Sequence, residues 1–302
     1  MTRLFNLLVL AFASALPVAA HAQDCAPIKD VDAVLSQDGL RYLVLGEMHG
    51  TNEAPEFAGD VVCHALERGQ PVVLALEYGD LEQGPLDGYL NSDGGTDARL
   101  AFLSRPEWRG GLPDGRRSEA MFSLIEQARR MKTDGADLDV LAVRGGRPPR
   151  EGDYQAYGEA AMAGRLEAIG ATRPEALIVF LVGNIHAAKA PMRDTLPPPA
   201  AARLPENETL SLNYSSGGGE AWNCQPYTCG PHPMPARDDP GDRDRVILTP
   251  VSRNEGAVHY DGYFWTPRTT ASAPAALTDP CGECTLSAPP DGWSVADVTP
   301  ED

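Results

Sequence analysis

Two glutamates and two histidines follow apolar runs of the chain, and their types suit them to chemistry. Glu47 and His49 stand close together after one run, Glu77 ends a second run, and His186 follows a third. Carboxylates combined with imidazoles form either a general acid/base set or an oxygen–nitrogen metal site. A glutamate beside an apolar core is partly desolvated, which is costly unless the group is paired or used. These four residues are therefore the candidate catalytic residues and, if a metal is present, its candidate ligands.

The segments that must position these residues are short apolar runs separated by helix-like sequence. The candidate strands lie at 41–45, 72–76, 138–143 and 177–182. Uninterrupted apolar strands that alternate with helices are typical of a parallel sheet covered on both faces. Such sheets bind ligands outside the carboxyl ends of their strands. We therefore expect the four candidate residues to converge on one crevice.

This alternation predicts an α/β fold class, with a mostly parallel central sheet flanked by helices and a loop-rich C-terminal part. After Pro191 the sequence becomes dense in Pro and Gly, and shorter candidate strands are expected to extend the same sheet. These shorter strands lie at 209–214, 246–249 and 259–265. The predicted organisation is a signal peptide at 1–22, a single α/β domain at 23–270 and a tail at 271–302. The tail is rich in Pro, Ser and Asp and is expected to be poorly ordered apart from a cysteine pair.

The composition excludes several classes of protein. The chain has 302 residues, with 43 acidic and 25 basic side chains, a formal net charge of −18 and a pI near 4.7. Apolar residues make up 42% of the sequence, which is enough for a globular core and argues against a wholly disordered chain. The excess of acids argues against nucleic-acid binding and against docking on an anionic membrane, since both depend on Lys and Arg.

The N-terminus predicts export. Arg3 precedes an apolar run that ends in Ala20-His21-Ala22, a pattern typical of a cleavable secretory signal. A retained membrane anchor is the alternative, but the run is short for a membrane span and contains Pro17. Cys25 is not preceded by the small residues of a lipoprotein lipobox. The mature chain is therefore expected to be periplasmic or secreted, with no stable membrane insertion after cleavage.

Six cysteines support an oxidising compartment, because an even number in an exported chain suggests disulfide bonds. The preferred pairing is Cys25 with Cys63, Cys224 with Cys229, and Cys281 with Cys284. One alternative makes Cys281 and Cys284 part of a redox or zinc site. A second alternative is a four-cysteine zinc site that also uses Cys224 and Cys229.

Each candidate residue also has a purely structural interpretation. Glu47 would cap the following helix, Glu77 would bind a backbone turn or an arginine, and His186 would pack at the start of a helix. The candidate substrate-binding residues are Arg116, Tyr78 and Asn184. Arginine is suited to bidentate recognition of carboxylates, and a tyrosine after a strand either lines the crevice or packs in the core.

Several of these motifs, taken together, resemble a known superfamily. They are Gly46-Glu47-Met48-His49-Gly50-Thr51, the strand end at Glu77, Gly183-Asn184-Ile185-His186, Pro113-Asp114-Gly115-Arg116-Arg117-Ser118 before a helix, Met162-Ala163, Trp222-Asn223-Cys224 and Cys229-Gly230-Pro231-His232. In order and strand context they resemble the erythromycin esterase, ChaN and TIKI superfamily (haem-binding uptake, Tiki superfamily). The resemblance is closest to the exported, ChaN-like bacterial branch and covers roughly residues 40–270.

The resemblance implies a ChaN-like or esterase-like α/β fold and several activities. The esterases are hydrolases that activate water with a Glu/His cluster, TIKI members are described as metal-dependent peptidases, and ChaN is a haem-binding lipoprotein of iron uptake. Carried over by position, the cluster is Glu47, His49, Glu77 and His186. This chain lacks a lipobox, which weakens the haem-uptake interpretation. Its Glu-x-His spacing lacks one residue of the esterase motif, so macrolide hydrolysis is not supported.

The expected function is that of an exported hydrolase whose Glu/His cluster activates water on an ester or amide bond. In the metal version, His49, His186, Glu47 and Glu77 hold a divalent ion that lowers the pKa of its bound water. One alternative is a protein that binds haem or another iron ligand through an axial His or Tyr. The other is an inactive structural relative. The expected partner is a small-molecule or peptide substrate, and no nucleic acid.

Overall fold

The computed structural model describes residues 25–109, 114–146, 152–225, 228–238, 241–252 and 256–278. Its strands are β1 (Tyr42–Glu47), β2 (Val72–Gly79), β3 (Leu138–Arg144), β4 (Leu177–Gly183), β5 (Thr209–Ser216), β6 (Gly219–Gln225), β7 (Thr228–Met234), β8 (Arg245–Ile247) and β9 (Gly262–Thr266). Seven of them form one sheet in the order β3-β2-β4-β1-β5-β9-β8. Within it only β8 runs antiparallel to its neighbour. The predicted mostly parallel sheet is confirmed.

Helices cover both faces of this sheet. They are α1 (Val31–Leu35), α2 (Glu53–Glu67), α3 (Asp80–Leu90), α4 (Thr96–Leu103), α5 (Pro106–Arg109), α6 (Glu119–Thr133), α7 (Tyr154–Thr172), α8 (Asn184–Ala187) and α9 (Ala275–Thr278). Alternate residues of β1 enter opposite cores: Leu43 and Leu45 pack with α2 and α6, whereas Tyr42 and Val44 pack with α7 and α8. Because successive strand side chains point to opposite faces, a strand covered on both sides must be apolar throughout.

Two helix starts fix segments that reach the carboxyl edge of the sheet. The Ser118 hydroxyl accepts a hydrogen bond from the backbone N–H of Met121, which caps α6. At the start of α7, the Asp153 carboxylate accepts hydrogen bonds from the N–H groups of Gln155 and Ala156. These caps set where the residues just before α6 and in the first turns of α7 lie.

The hairpin of β6 and β7 was not predicted, because its sequence suggested loops within the main sheet. The two strands pair antiparallel and form a separate sheet. Pro231 and Pro233 lie in β7, and proline cannot donate a backbone hydrogen bond to a ladder, so the sequence pattern disfavours a strand there. Cys224 stands directly opposite Cys229 in the register, and the bond between them fastens the hairpin.

The chain remains packed on the domain beyond the predicted boundary at residue 270. Ser118 forms an isolated bridge with Pro274, and the Ser272 hydroxyl accepts a hydrogen bond from the N–H of Ala120 at 2.9 Å. Helix α9 then packs against α6. The Ser272 hydroxyl and backbone hydrogen bonds therefore join 271–278 to the start of α6, and the rest of the predicted tail lies outside the described residues.

Two of the three predicted disulfide bonds are confirmed: Cys25–Cys63 and Cys224–Cys229. The second bond overturns the four-cysteine zinc alternative, since both sulfur atoms are committed to each other. Disulfides of this kind are typical of exported proteins. The predicted pair Cys281–Cys284 and the predicted signal peptide at 1–22 lie outside the described residues. Nowhere in the ranges that the structure describes is a helix both long and apolar enough to span a membrane.

The double substitution Cys25→Ala/Cys63→Ala is expected to lower the free energy of unfolding by about 2 to 4 kcal/mol. The bond joins residues 38 apart and so restricts the unfolded chain. Urea denaturation measures the effect. The matched control is the Cys224→Ala/Cys229→Ala variant, whose bond joins residues only 5 apart and is expected to contribute less. An unchanged urea midpoint for the first variant would show that the bond does not stabilise the fold.

Candidate functional site

The carboxyl ends of three neighbouring strands bring the four candidate residues to one edge of the sheet. Strand β4 lies between β1 and β2, and Glu47 stands opposite Gly183 in the parallel register. Glu47 is the last residue of β1, and Glu77 lies near the end of β2. His49 follows two residues after Glu47, and His186 lies in α8, which begins directly after β4. The sequence-based expectation of a shared edge agrees with this placement.

Glu47 and His49 form the first carboxylate–imidazole pair. Glu47 is buried, and its Oε1 lies 2.9 Å from Nδ1 of His49. An ionised carboxylate can only accept, so Nδ1 carries the proton and donates it. Nε2 of His49 lies 3.6 Å from Oε2 of Glu77. A Cβ at position 183 would lie 2.9 Å from this Nε2 atom, so Gly183 is what allows the ring to approach β4.

His186 forms a second pair of the same kind with Glu159, a residue of α7. Oε1 of Glu159 accepts a hydrogen bond from Nδ1 of His186 at 2.6 Å. Its Oε2 accepts one from the backbone N–H of Ala200 at 2.8 Å. Glu159 is only 1% exposed. Nε2 of His186 lies 3.8 Å from Oε1 of Glu77, so both imidazoles face the same central carboxylate.

Glu159 belongs to the candidate site and was not predicted from the sequence, although a signal was present. Met162, Ala163 and Leu166 form the buried face of α7. Glu159 precedes them by three, four and seven residues, so the helical repeat places it on that same face. An acidic side chain on an otherwise apolar helix stripe is rarely buried without a partner. The partner, His186, comes from a separate segment and was not evident from the sequence.

Glu77 is held at the centre of the site by groups on both of its oxygens. Oε1 accepts a hydrogen bond from Nη1 of Arg116 at 3.0 Å, and Oε2 accepts one from the backbone N–H of Gly183 at 3.0 Å. Nη1 of Arg144, at the end of β3, lies 3.8 Å from Oε1, and 42% of the Arg144 side chain is exposed. Arg144 was also missed, since it ends a strand that the sequence analysis did not assign to the site.

Arg116 is fixed by its own neighbours in the chain. Oδ2 of Asp114 accepts hydrogen bonds from Nε and Nη2 of Arg116 at 2.9 and 2.5 Å. Gly115 between them has a φ of +90°, and a Cβ there would lie 2.2 Å from the backbone nitrogen of Gly50. Glycine is therefore required for this turn to pack against the loop after His49. The turn places the guanidinium group against Glu77.

Ionic contacts keep Glu77 charged despite its burial. Burial by itself raises the pKa of the Glu77 carboxyl, but His49, His186, Arg116 and the N–H of Gly183 outweigh it and lower that pKa to about 2. A carboxylate with both oxygens engaged and so low a pKa is a poor proton acceptor. Glu77 is suited to orienting and charging the imidazoles and is not suited to act as the base.

Both imidazoles become more basic than a free histidine. Burial lowers the pKa of His49, but the hydrogen-bonded charge of Glu47 and the charge of Glu77 outweigh it, so the pKa rises above 6.5. For His186 burial again lowers the pKa, and Glu159 and Glu77 raise it above 6.5 overall. For the acid Asp114, burial has the opposite effect and raises the pKa, but the contacts with Arg116 outweigh burial and lower the pKa overall.

The charge balance of the site explains this direction. Four carboxylates, those of Glu47, Glu77, Glu159 and Asp114, face two guanidinium groups, those of Arg116 and Arg144. Two added protons would therefore neutralise the cluster, and the imidazoles are the groups able to take them.

The three predicted substrate-binding residues lie in different positions. Arg116 is in the site, where it binds Glu77. Tyr78 is only 2% exposed, packs edge-on against Trp108 and donates a hydrogen bond to the carbonyl of Arg116 at 3.1 Å. Burial raises the pKa of the Tyr78 hydroxyl well above its usual value. Asn184 is half-buried at the start of α8, and its carbonyl accepts a hydrogen bond from Tyr260. Tyr78 is therefore a buried residue whose hydroxyl group holds the backbone of Arg116 in place.

The donor set fits a metal ion poorly. In the described part of the chain, one group of three His, Cys or acidic residues offers ligand atoms within 4.8 Å of one another, namely Cys25, Cys63 and Glu67. Its two cysteines are joined in a disulfide. The side-chain positions of the predicted ligand set do not offer three such converging atoms, and a guanidinium group already binds its central carboxylate, that of Glu77.

Comparison with known proteins gives matches of structure and none of sequence. No family model and no curated protein matches this chain. A succinoglycan biosynthesis protein matches with a TM-score of 0.57 and 12% identity, over 81% of this chain and 91% of its own. A Bacillus cereus protein matches with a TM-score of 0.51 and 11% identity, over 82% and 92%. A mutant erythromycin esterase in its open conformation matches with a TM-score of 0.49 and 14% identity, over 80% and 93%. The first two matches show that this α/β fold is shared with solved proteins.

Proposed function

We propose that this chain is an exported hydrolase that cleaves an ester or amide bond with His49 and His186 as its proton-transfer groups. One observation carries the proposal. Each imidazole is anchored through Nδ1 by a buried carboxylate, at 2.9 Å for His49 and 2.6 Å for His186. Each then turns Nε2 toward Glu77, at 3.6 and 3.8 Å. Anchoring at Nδ1 fixes the tautomer and leaves Nε2 to exchange protons with a ligand.

The two imidazoles act as base and acid in turn. Nε2 of the neutral imidazole takes a proton from water while the water oxygen bonds to the carbonyl carbon. As the carbon–oxygen or carbon–nitrogen bond breaks, the protonated imidazole gives its Nε2 proton to the leaving group. The first imidazole then releases its extra proton to solvent, and the second imidazole takes up a proton from solvent. Both imidazoles thereby return to their starting protonation states. Each proton transfer of this kind contributes about 10² to 10⁴-fold in rate.

The arginines supply positive charge where the substrate carbonyl becomes negative. Arg116 is committed to Glu77 and Asp114. Arg144 is the more exposed of the two and lies no closer than 3.8 Å to Glu77, so its guanidinium group is available to a substrate oxygen. Preorganised cations at a developing oxyanion are among the strongest contributions to catalysis.

The proposal is metal-free, because Arg116 already binds the central carboxylate of Glu77 and the donor atoms of the cluster do not converge on one point. A haem-binding function is less well supported, since Tyr78 is buried and Nε2 of each site histidine already faces the carboxylate of Glu77. Export is supported by the two disulfide bonds. The proposed partner is a small-molecule or peptide substrate, and the excess of acidic residues does not favour nucleic acid.

Glu159→Gln is expected to lower kcat by about 100-fold and to change the pH profile. A glutamine has one acceptor oxygen, whereas Glu159 accepts from both Nδ1 of His186 and the N–H of Ala200. Wild-type activity should rise with pH through a pKa above 6.5, because Glu159 and Glu77 raise the His186 pKa. Without the Glu159 charge this acid limb should move to lower pH. Rates are measured on 4-nitrophenyl acetate and on aminoacyl 4-nitroanilides from pH 5 to 9.

Three measurements distinguish the proposed hydrolase from its alternatives: haemin absorption, hydrolysis rates and thermal stability. Added haemin that gives a Soret band, lost on His186→Ala, would indicate a haem-binding protein. Absence of hydrolysis in both substrate series, with or without added Zn²⁺, would reject the hydrolase. Variants that alter thermal stability and nothing else would indicate an inactive relative.

A further inference from the structure

Large apolar side chains that remain exposed are concentrated at the edge of the sheet that holds the site. Within the described ranges, seven such residues are more than 36% exposed: Met48, Leu81, Tyr154, Tyr157, Ile185, Leu248 and Val258. Met48, Leu81 and Ile185 lie one or two residues after the carboxyl ends of β1, β2 and β4, and Tyr154 and Tyr157 lie in the first turn of α7, the helix that follows β3. We call these five residues the apolar rim. Leu248 and Val258 lie at the opposite edge, after β8 and before β9.

The apolar rim is interleaved with the catalytic cluster along the chain. Met48 stands between Glu47 and His49, and Ile185 directly precedes His186. Tyr157 lies two residues before Glu159. These covalent neighbours cannot be far from the cluster, because consecutive Cα atoms are only about 3.8 Å apart. Exposed apolar residues therefore stand within one or two residues of the cluster at these three positions.

The rim also extends to the half-exposed arginine of the site. A Cβ at position 145, directly after Arg144, would lie 3.8 Å from Cε1 of Tyr157. The Tyr157 ring is therefore next to the end of β3, where Arg144 presents its guanidinium group. Apolar surface and the guanidinium group of Arg144 thus stand side by side at the end of β3.

We infer that the substrate carries an apolar acyl or aryl group next to its ester or amide bond, and that the apolar rim binds this group. The inference rests on the proposed hydrolase function. Exposed apolar residues scattered singly need no explanation, but a group gathered around convergent polar residues is typical of a ligand site. An anionic membrane is a poor occupant for a chain with a net charge of −18.

The test is the dependence of kcat/KM on acyl chain length, measured with 4-nitrophenyl acetate, butyrate and octanoate. Burial of one methylene is worth about 0.8 kcal/mol, or about fourfold in kcat/KM when complete. With partial burial, the wild-type octanoate-to-acetate ratio should exceed about tenfold. The Ile185→Ser/Tyr157→Ser variant should bring this ratio close to one. Leu248→Ser is the matched control, since Leu248 and Ile185 are each 44% exposed, and it should keep the wild-type ratio.

The outcomes separate this inference from the function on which it rests. A ratio that is equal in wild type and in the rim variant, with acetate still hydrolysed, overturns the inference and leaves the hydrolase intact. If no ester or amide is hydrolysed, the proposed hydrolase function is overturned. Binding of free octanoate, measured as a rise in Tm that the rim variant loses, would then still support the apolar rim as a binding surface, and no rise in Tm would overturn it. A wild-type dimer that Ile185→Ser converts to a monomer in sedimentation would assign the rim to contacts between copies and overturn the inference.

Discussion

A His49→Asn variant is expected to hydrolyse ester or amide substrates about 10³-fold more slowly than the wild type, with a much smaller change in KM. The asparagine side chain can still contact Glu47 but has no group that transfers a proton near neutral pH. The loss therefore falls on the chemical step and spares substrate binding. Steady-state kinetics at the pH optimum of the wild type measure both constants.

The control for this substitution is His64→Asn. His64 lies on α2, and its Nε2 contacts the carbonyl of Ala26 at 2.9 Å, outside the site. This variant should keep wild-type kinetics. His186→Asn should match the loss of His49→Asn, and the double variant should be little worse than either, because residues that act as one unit are not additive. Full activity in the His49→Asn variant, with its Tm unchanged, would contradict the assignment of His49 as a proton-transfer group.

Glu77→Gln is expected to reduce both activity and stability. The glutamine amide has one acceptor oxygen, whereas the carboxylate serves Arg116 and the N–H of Gly183 at the same time. Arg116 keeps Asp114 but loses the buried one of its two charged acceptors, which costs about 3 kcal/mol of unfolding free energy. The imidazoles also lose the negative charge that they face, so we expect kcat to fall about 10³-fold.

The pH dependence of stability gives this variant a second signature. Because the folded-state pKa of Glu77 is lowered from 4.5 to about 2, its contribution is complete above pH 4.5 and is lost as the pH falls toward 2. His49 and His186 have folded-state pKa values raised above 6.5, so their contribution is complete below pH 6.5 and is lost as the pH rises through the raised values. Wild-type stability should therefore be greatest between about pH 4.5 and 6.5. In Glu77→Gln the decline on both sides should flatten.

Urea unfolding at intervals from pH 3 to 9 measures this dependence. Glu82→Gln is the matched control, because Glu82 is also a buried glutamate that pairs with a guanidinium group, that of Arg117, at 2.7 Å. It should lose stability and keep its activity. A Glu77→Gln variant with wild-type kcat would show that the central carboxylate is structural.

The sequence was sufficient for the sheet and for the position of the first four site residues. A strand buried on both faces must be apolar along its whole length, and β1, β2 and β4 are such strands. An ionisable residue lies in the last residues of β1 and β2 and three residues after β4, so the edge on which Glu47, Glu77 and His186 lie follows from the parallel arrangement alone. The even count of cysteines predicted disulfide bonds but left 15 possible pairings, so it did not by itself determine the bond between Cys25 and Cys63.

The sequence was insufficient for the hairpin and for the end of the domain. The prolines in β7 disfavoured a strand prediction there, although the disulfide bond and the antiparallel pairing of β6 with β7 hold the hairpin together. The segment after residue 270 has the composition of a loose tail, yet its hydroxyls and backbone satisfy groups at the start of α6. Composition describes what a segment can bury, and it does not reveal which unsatisfied hydrogen-bonding groups stand next to that segment.

The amino acid sequence by itself determined which strands are buried and which residues follow them, because period and polarity are local properties of the chain. Only the tertiary structure decided which carboxylate each imidazole binds and which glutamate is surrounded by cations. Glu159 reaches His186 from another helix, and Arg116 reaches Glu77 from a separate turn. These contacts depend on how whole elements pack. The pKa values that govern the proposed chemistry depend on the same distances.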